Sequence, residues 1–520
     1  MVDWNSPLYY LVMWWWLKLF GISELTVRLP SIIVSFLALP LLWVVGTRLG
    51  DERTGLLAAV LYVFLPFSLY YTVEARVYAF TMFFSAAIIS LTYQFFGVDS
   101  TSPGGGKCTT ETFTDGSPQV AKAGFKRSIL WSITAGLGLL WHILFISTFV
   151  SCCIWILGVV KRTAWKHVAL MALGAVCIAL LWDIRLPQIM AIKTQATDDY
   201  LHMMPLWFEL SRPVSYVLEF FSGLGTETIN WHEVPAVVLS LLCVAVLPAV
   251  LPIWRSRSSN VITCRIWAAL FSVSAAVNLL FFSFSMPPQW RDAYACAVLI
   301  TCFTCFGVAW FVVPRFNLPY DNRYLLLYLN VLASAMLPLG IDIVKDVHFS
   351  YVYRYAVPAL PAAILLAALA LSRLKRMSCG LLGVLALIVW FPTYVDYFVP
   401  TSRHWEDYRS IDGVLEQAGK TDLIMVHHTY PVAVLGVARY MPVAKELLSW
   451  SDRTELKKVP DDLLPVLKGK TGLYLVKARA ADYNASSPVE DWLRAHARVQ
   501  STYRFPSQVI YFVPLHAQTF

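Results

Sequence analysis

The stretch "YTVEARVYAF", residues 71–80, decides how the rest of the chain is read. Two apolar runs meet there, and Glu74 and Arg76 stand two residues apart at the join. Charges at the end of a membrane span are costly unless they face water or one another. The join is therefore a turn between two spans, with a carboxylate and a guanidinium able to pair at it.

Outward from that turn the pattern repeats. Apolar runs of about twenty residues recur from residue 28 to residue 397, which is the signature of transmembrane helices. The composition agrees: 520 residues are 58% hydrophobic and 14% charged, with a mean hydropathy of +0.59. A soluble domain carries roughly a quarter charged residues. Spans are predicted near 28–48, 54–73, 77–96, 128–141, 143–160, 167–186, 234–254, 264–285, 292–313, 324–343, 353–371 and 379–397, about twelve in all. The fourth and fifth share an apolar run short for two crossings, so one is broken or tilted. The fold class is a polytopic α-helical membrane protein with a small soluble C-terminal domain.

Charge sets the orientation. Arg48 and Arg53 lie in one loop, and Lys107, Lys122, Lys126 and Arg127 in the next of the same parity. Lys161, Arg162 and Lys166 follow, then Arg255, Arg257 and Arg265, then Arg315 and Arg323, then Arg373, Lys375 and Arg376. Every second loop is basic, so those loops are cytoplasmic and the others, with the C-terminal domain, are outside. The protein is thus expected to be a multi-pass plasma- or inner-membrane protein with an extracytoplasmic C-terminal domain. The net charge of +8 lies in these topogenic loops, which argues against a nucleic-acid partner. Of ten cysteines none follows Cys379, so the C-terminal domain has no disulfides. Cys302 and Cys305 form a CxxC inside an apolar helix, where cysteine behaves as a small hydrophobe.

Three further segments complete the organisation. Residues 1–27 lie outside, and "PLYYLVMWWWLKLFG" is too short to cross. Its Trp14, Trp15 and Trp16 suit an interfacial helix on the outer face. Residues 28–397 form the multi-span domain, within which 98–126, rich in Gly, Ser and Thr, is a cytoplasmic linker. The outer loop 187–233 is long and mixed, as functional loops are. In 398–520, "DLIMVHH", "TGLYLVKA" and "SQVIYFVPL" read as buried strands. "HWEDYRSIDGVLEQAG" and "SPVEDWLRAHARV" read as helices, giving an α/β domain with a partly parallel sheet. His427 and His428 end a strand and read as structural.

Cationic and aromatic residues collect on the outer side. Glu74 and Arg76 stand beside Tyr70, Tyr71 and Tyr78, while "HFSYVYRYAVPALPA" brings His348, Tyr351, Arg354 and Tyr355 to another outer span end. Asp3, Asn5 and Lys18 accompany the N-terminal helix, and "PPQWRD" adds Arg291 and Asp292. Singly, such arginines snorkel and such aromatics form the interfacial belt. Together, and against the positive-inside trend, they suit a phosphate whose lipid tail stays in the bilayer. Asp183 and His142 are the nearest to intramembrane ionisable groups, and His142, splitting the fourth and fifth spans, is a candidate cavity residue.

Two stretches, "SPLYYLVMWWWLKLFGISELTVRLPS" and "LPLLWVVGTRLGDERTGLLAAVLYVFLPFSLYYTVEARVYAF", together with "RYAVPALPA" and "HWEDYRSIDGVLEQAGKTDLIMV", carry a family resemblance. They resemble the GT-C glycosyltransferases that use polyprenyl-phosphate sugars. The similarity is to the bacterial branch related to protein O-mannosyltransferases and the lipid A aminoarabinose transferase. It is dense over 4–96, patchy to 397 and weak to about 426. The resemblance implies inverting transfer of a sugar from a polyprenyl-phosphate donor to a glycan, lipid or protein acceptor at the outer face. A carboxylate would be the general base, and cationic groups would stabilise the departing lipid phosphate. Carried over by motif, Arg76 and Arg354 face the donor phosphate, Glu74 orients Arg76, and Tyr78 and Tyr355 line the site.

The family has a first span and an acidic pair ahead of its His-Pro-Pro-Leu segment. Here "WNSPL" stands in that segment's place and only Asp3 precedes it. Asp3 is therefore the catalytic candidate or a substrate contact, and the chain is expected to be N-terminally truncated or an inactive relative. Family members differ in whether they need a divalent cation, and no ligand cluster stands out here. A cell-envelope oligosaccharide ligase or polymerase would use similar arginines. A secondary transporter is the other class, disfavoured by few mid-span charges and no obvious internal repeat.

Overall fold

A computed structural model describes residues 7–21, 23–96, 118–159, 169, 171–176, 220–221, 322–345, 353–374, 376–398, 411–427, 436–439, 446–450, 459, 461–478, 488–505 and 508–515. The chain divides into two compact units, Met1–Thr393 and Tyr394–Phe520. Asp3, Arg291, Asp292, His348, Tyr351 and His428 lie outside the described residues, as do the expected spans 234–254, 264–285 and 292–313, most of 167–186 and most of loop 187–233.

The first unit is helical. Helix α1 (Pro7–Phe20) ends at Gly21, whose φ of 77° only glycine adopts readily. Fourteen residues rise about 21 Å, short of the hydrocarbon thickness. Tyr9 and Met13 are buried on one face while Tyr10, Leu11, Trp14 and Trp15 are exposed on the other. Trp16 Nε1 donates to Thr26 O at 2.9 Å and ties α1 to the start of α2 (Glu24–Leu49), which Ser23 caps.

Helix α2 buries Ser31, Ser35, Ala38, Leu42, Val45 and Leu49, a stripe at three- and four-residue spacing. Its other side exposes Ile33, Phe36, Leu37 and Trp43, as expected of a lipid-facing surface. Small residues let α3 (Glu52–Phe64) approach closely. A Cβ on Gly46 would stand 2.8 Å from Gly55 Cα, and one on Gly55 would stand 2.6 Å from Trp43 O. Asp51 caps α3 by accepting from Thr54 N and Oγ1 at 2.8 and 2.7 Å. Burial pushes its carboxyl pKa up, but the Thr54 hydrogen bonds and the Arg53 charge outweigh this and hold it below the ordinary value.

The expected single span 54–73 is instead two helices, α3 and α4 (Pro66–Val73), bent by 59°. Pro66 has no N–H and forces Leu65 out of the helical region, to φ −73° and ψ 120°. Helix α5 (Tyr78–Phe95) follows the Glu74–Arg76 turn. Helix α6 (Pro118–Trp141) takes in residues 118–126, which composition assigned to the linker. After His142 come a 3-10 turn (Ile143–Phe145) and α7 (Ile146–Val159). Later come α8 (Leu325–Lys345), a 3-10 turn (Tyr353–Ala359), α9 (Leu360–Ser372) and α10 (Arg376–Phe398). Among the described residues, three helical stretches are long and apolar enough to cross a membrane: Glu24–Leu49, Tyr78–Phe95 and Arg354–Ser372. The bent α3–α4 pair makes a fourth if counted as one.

Hydrogen bonds lock these helices where the hydrophobic effect between lipid-facing surfaces is weak. Asn330 Nδ2 donates to Thr148 Oγ1 at 2.8 Å, joining α8 to α7, and Trp131 Nε1 donates to Thr92 Oγ1 at 3.0 Å, joining α6 to α5. At the Asp51 end of the bundle, Arg53 Nη1 donates to Ser372 O and Leu374 O, both at 2.9 Å, satisfying orphan carbonyls at the end of α9. Tyr324 Oη donates to Leu49 O at 3.3 Å on the same level.

The second unit holds a five-stranded sheet in the order β2-β1-β3-β5-β4. Strands β1 (Leu423–His427), β2 (Glu446–Trp450) and β3 (Gly472–Ala478) are parallel; β5 (Gln508–Pro514) runs antiparallel to β3, and β4 (Ser501–Arg504) to β5. Apolar clusters cover both faces, one around Ile424, Val426, Val476 and Ile510, the other around Met425, Leu473, Leu475 and Val513. Short helices α11 (Asp412–Leu415) and α12 (Leu464–Leu467) and the longer α13 (Pro488–His496) pack against them. Of the expected helix 404–419, the described part is helical only over Asp412–Leu415. Strands β2 and β4 were not anticipated. His427, buried at the end of β1, is paired within the unit: its Nδ1 lies 3.3 Å from Glu490 Oε1, which Lys477 Nζ approaches to 3.0 Å.

Two outcomes follow. Gly55→Val destabilises the helical unit by about 1–3 kcal/mol through overpacking, read as a lowered melting temperature in detergent. Leu56→Val, on the exposed side of the same helix, has a smaller effect. In the second unit, burial raises the Glu490 pKa but His427 and Lys477 outweigh it and depress it below 4.5. A depressed carboxylate stabilises the fold fully above its unfolded pKa, and that contribution is lost as pH falls through the folded value. The protection of the β1 and β3 amides relative to their intrinsic exchange rates is therefore expected to fall below about pH 4.5, and Glu490→Gln removes that dependence.

Candidate functional site

Non-helical backbone is tolerated at membrane depth only where it is buried in protein or lines a water-filled space. Among the described residues of the helical unit four such irregularities stand out, and three of them converge. The first is the Glu74–Val77 turn. Glu74 N donates to Tyr70 O at 3.0 Å and Arg76 N donates back to Glu74 O at 2.8 Å, after which α5 starts at Tyr78. The second is the His142 break, and the third the 3-10 turn Tyr353–Ala359, which packs against α5, α7 and the Ile143–Phe145 turn. The fourth, the α3–α4 bend at Pro66, sets the direction in which α4 delivers Tyr70, Tyr71 and Glu74.

The side chains follow from this backbone. Arg76 Nε lies 3.1 Å from Glu74 Oε1, and the carboxylate is the better covered partner, its side chain 19% exposed against 36%. The charge on the turn is thus held by its own neighbour, as an ion pair two residues apart allows. Tyr71 and Tyr78 are buried and meet edge to face at 5.0 Å. Tyr78 meets the His142 ring at 5.9 Å. Tyr9, from α1, packs edge-on against Phe80 at 6.0 Å and Trp141 at 6.4 Å, while Phe80 and Trp141 stack at 4.3 Å.

Arg354 completes the group. Its guanidinium carbon lies 5.7 Å from the centre of the Tyr355 ring, and Tyr78, Tyr355, Tyr71 and Glu74 are all within electrostatic reach. Its Nε is buried and has no hydrogen-bond partner among the described residues. An arginine retains its charge, so a covered donor left open is costly unless an anion or water meets it.

The structure brings together Glu74, Arg76, Tyr78, Arg354 and Tyr355, residues from two regions nearly 280 positions apart. Asp3 lies outside the described residues, so the turn has no described carboxylate from the N-terminal side. Tyr71, which the sequence places beside the turn, joins the group, and so does Tyr9, which the sequence did not single out. The signal was present in Tyr9 and Met13, one helical turn apart on α1. Among the described residues no group of three or more His, Cys, Asp or Glu side chains could hold a metal ion.

Residues 5–102 match the family model of the dolichyl-phosphate-mannose-protein mannosyltransferases. The N-terminal fifth of the chain carries that family's pattern. No curated protein sequence matches the chain. Among solved structures, apo ArnT from Cupriavidus metallidurans is 12% identical, with a TM-score of 0.45 over 98% of this chain and 87% of that one. ArnT bound to undecaprenyl phosphate gives 12% identity and a TM-score of 0.43 over the same shares. The Archaeoglobus fulgidus oligosaccharyltransferase AglB, in complex with an inhibitory peptide and a dolichol-phosphate, is 11% identical, with a TM-score of 0.38 over 98% of this chain and 66% of that one. The matched segment 5–102 includes Glu74, Arg76 and Tyr78; Arg354 and Tyr355 lie beyond it and join the site through the fold.

Proposed function

We propose that this protein is a membrane glycosyltransferase that moves a sugar from a polyprenyl-phosphate donor to an acceptor at the outer face of the membrane, with inversion. The observation that carries the reading is Arg354, half-buried beside Tyr71, Tyr78 and Tyr355 with its Nε buried and unpartnered among the described residues, near the Glu74–Arg76 pair. Two cations behind aromatic walls suit a phosphate whose prenyl chain remains in lipid. The mannosyltransferase pattern over residues 5–102 supports the same substrate class.

In this mechanism the acceptor hydroxyl attacks the anomeric carbon, the bond from that carbon to the phosphate oxygen breaks, and the electron pair leaves with the lipid phosphate. Arg354 and Arg76 neutralise the charge that grows on the departing oxygen, an interaction stronger in the transition state than in the ground state. Glu74 holds Arg76 in position. Asp3 is the proposed general base that takes the acceptor proton. Residues 1–27 lie on the outer surface, the C-terminal α/β unit is extracytoplasmic, and the acceptor is a glycan, lipid or protein.

The test is transfer in proteoliposomes from a panel of undecaprenyl-phosphate-linked sugars, with products followed by mass spectrometry. Arg354→Ala and Arg76→Ala are expected to lower turnover about 10²- to 10³-fold while remaining folded and inserted. Normal turnover in both variants would overturn the phosphate-site assignment. Substrate flux across the vesicle membrane without any glycosylated product would favour a transporter instead.

A further inference from the structure

His142 interrupts what would otherwise be one apolar helix, and hydrogen bonds define both sides of the interruption. His142 N donates to Gly138 O at 3.1 Å, closing α6, and Phe145 N donates to His142 O at 3.0 Å, opening the 3-10 turn. Between them the residue is extended, with φ −154° and ψ 127°. A Cβ on Gly138 would stand 2.6 Å from the Phe145 ring, so that position admits no side chain at the present spacing.

The imidazole then has one defined tautomer. Leu144 N donates to Nδ1 at 3.2 Å, so Nδ1 carries no proton and the neutral ring bears its hydrogen on Nε2. That Nε2–H has no hydrogen-bond partner among the described residues. The ring is buried, 5.9 Å from Tyr78 and within electrostatic reach of Arg354. Two neighbouring donors are both covered and open. Arg354 Nε and the Nε1 of Trp141, the residue before His142, are both buried and unpartnered among the described residues. Buried indole and guanidinium donors ordinarily find acceptors. Three N–H groups without an acceptor among the described residues, gathered where three backbone irregularities meet, point to an oxygen-rich group that arrives from outside the chain.

We propose that His142 is a donor-phosphate binding residue: its neutral imidazole, fixed through Nδ1 by the Leu144 backbone, donates Nε2–H to an oxygen of the polyprenyl phosphate that Arg354 also holds. This rests on the phosphate-site reading above and adds a neutral third donor to its two arginines. A neutral donor strengthens the hold on the phosphate without adding another buried charge at membrane depth. The 3-10 turn that carries Arg354 packs on the turn that His142 opens, so the two donors move together.

Amide substitutions separate the two nitrogens. His142→Asn keeps an acceptor near Nδ1 and withdraws the Nε2 donor; His142→Gln puts an amide N–H near Nε2 and forfeits the acceptor for Leu144. Binding of undecaprenyl phosphate to the full-length protein is measured in detergent by native mass spectrometry, with melting temperature recorded for each variant. Folded His142→Asn is expected to bind about tenfold or more weakly, and His142→Gln within a few-fold of wild type. Undiminished binding by folded His142→Asn would overturn the proposal and leave His142 as a helix-break residue only. Should His142→Asn fail to fold, a folded His142→Gln that has lost binding tenfold would overturn it equally. Arg354→Ala is the control for the parent reading: if it binds like wild type, the phosphate site itself falls, whereas loss in Arg354→Ala with none in His142→Asn removes His142 alone.

Discussion

A half-buried arginine at the end of a membrane helix, its Nε–H covered and left open among the described residues, constrains everything around it. Arg354 cannot shed its charge, and hydrocarbon cannot solvate it. The surrounding chain answers with tyrosine rings, whose faces and hydroxyls are tolerable neighbours for a cation, and with a carboxylate on the facing turn. It also departs from regular helix at each wall of the site: the 3-10 turn under Arg354, the Glu74–Val77 turn and the His142 break.

The opposite end of the same helices is regular and closed. Arg53 there satisfies two carbonyls at the end of α9, Tyr324 satisfies Leu49 O, and Asp51 caps α3. Gly46 against Gly55 brings α2 and α3 into backbone contact near that end. Arg53 and Arg354 are thus the same residue type under opposite conditions. One donates through Nη1 to two main-chain oxygens and holds helices together; the other has a covered Nε–H without an acceptor among the described residues. That contrast, rather than the presence of arginine as such, distinguishes a clamp from a site.

Much of this was legible in the sequence because it is local. Glu74, Arg76 and Tyr78 fall within five residues, so one turn had to bring them together. The strands Leu423–His427, Gly472–Ala478 and Gln508–Pro514 are apolar runs that could hardly be anything but buried. The break at Leu65–Pro66 was also written in the sequence, but the length of the apolar run masked it. Strands β2 and β4 escaped because they are short and partly exposed: Glu446 opens one, and β4 alternates between half-buried and exposed positions. Topology put Arg354 on the same outer side as the turn, but its partnership with Arg76 at one phosphate came through family resemblance, since nothing in residues 348–362 says which distant turn they meet. Tyr9 and the orientation of His142 required coordinates, because a single aromatic or histidine in an apolar run has no periodic signal of its own.

The most direct measurement of the central claim is photo-crosslinking with a polyprenyl phosphate that carries a diazirine in the isoprene unit next to the phosphate, followed by peptide mapping. The account predicts adducts on residues 70–80 and 353–359, with labelling of both suppressed by excess undecaprenyl phosphate. Adducts confined to other segments, or labelling of these two that excess undecaprenyl phosphate leaves unchanged, would contradict it.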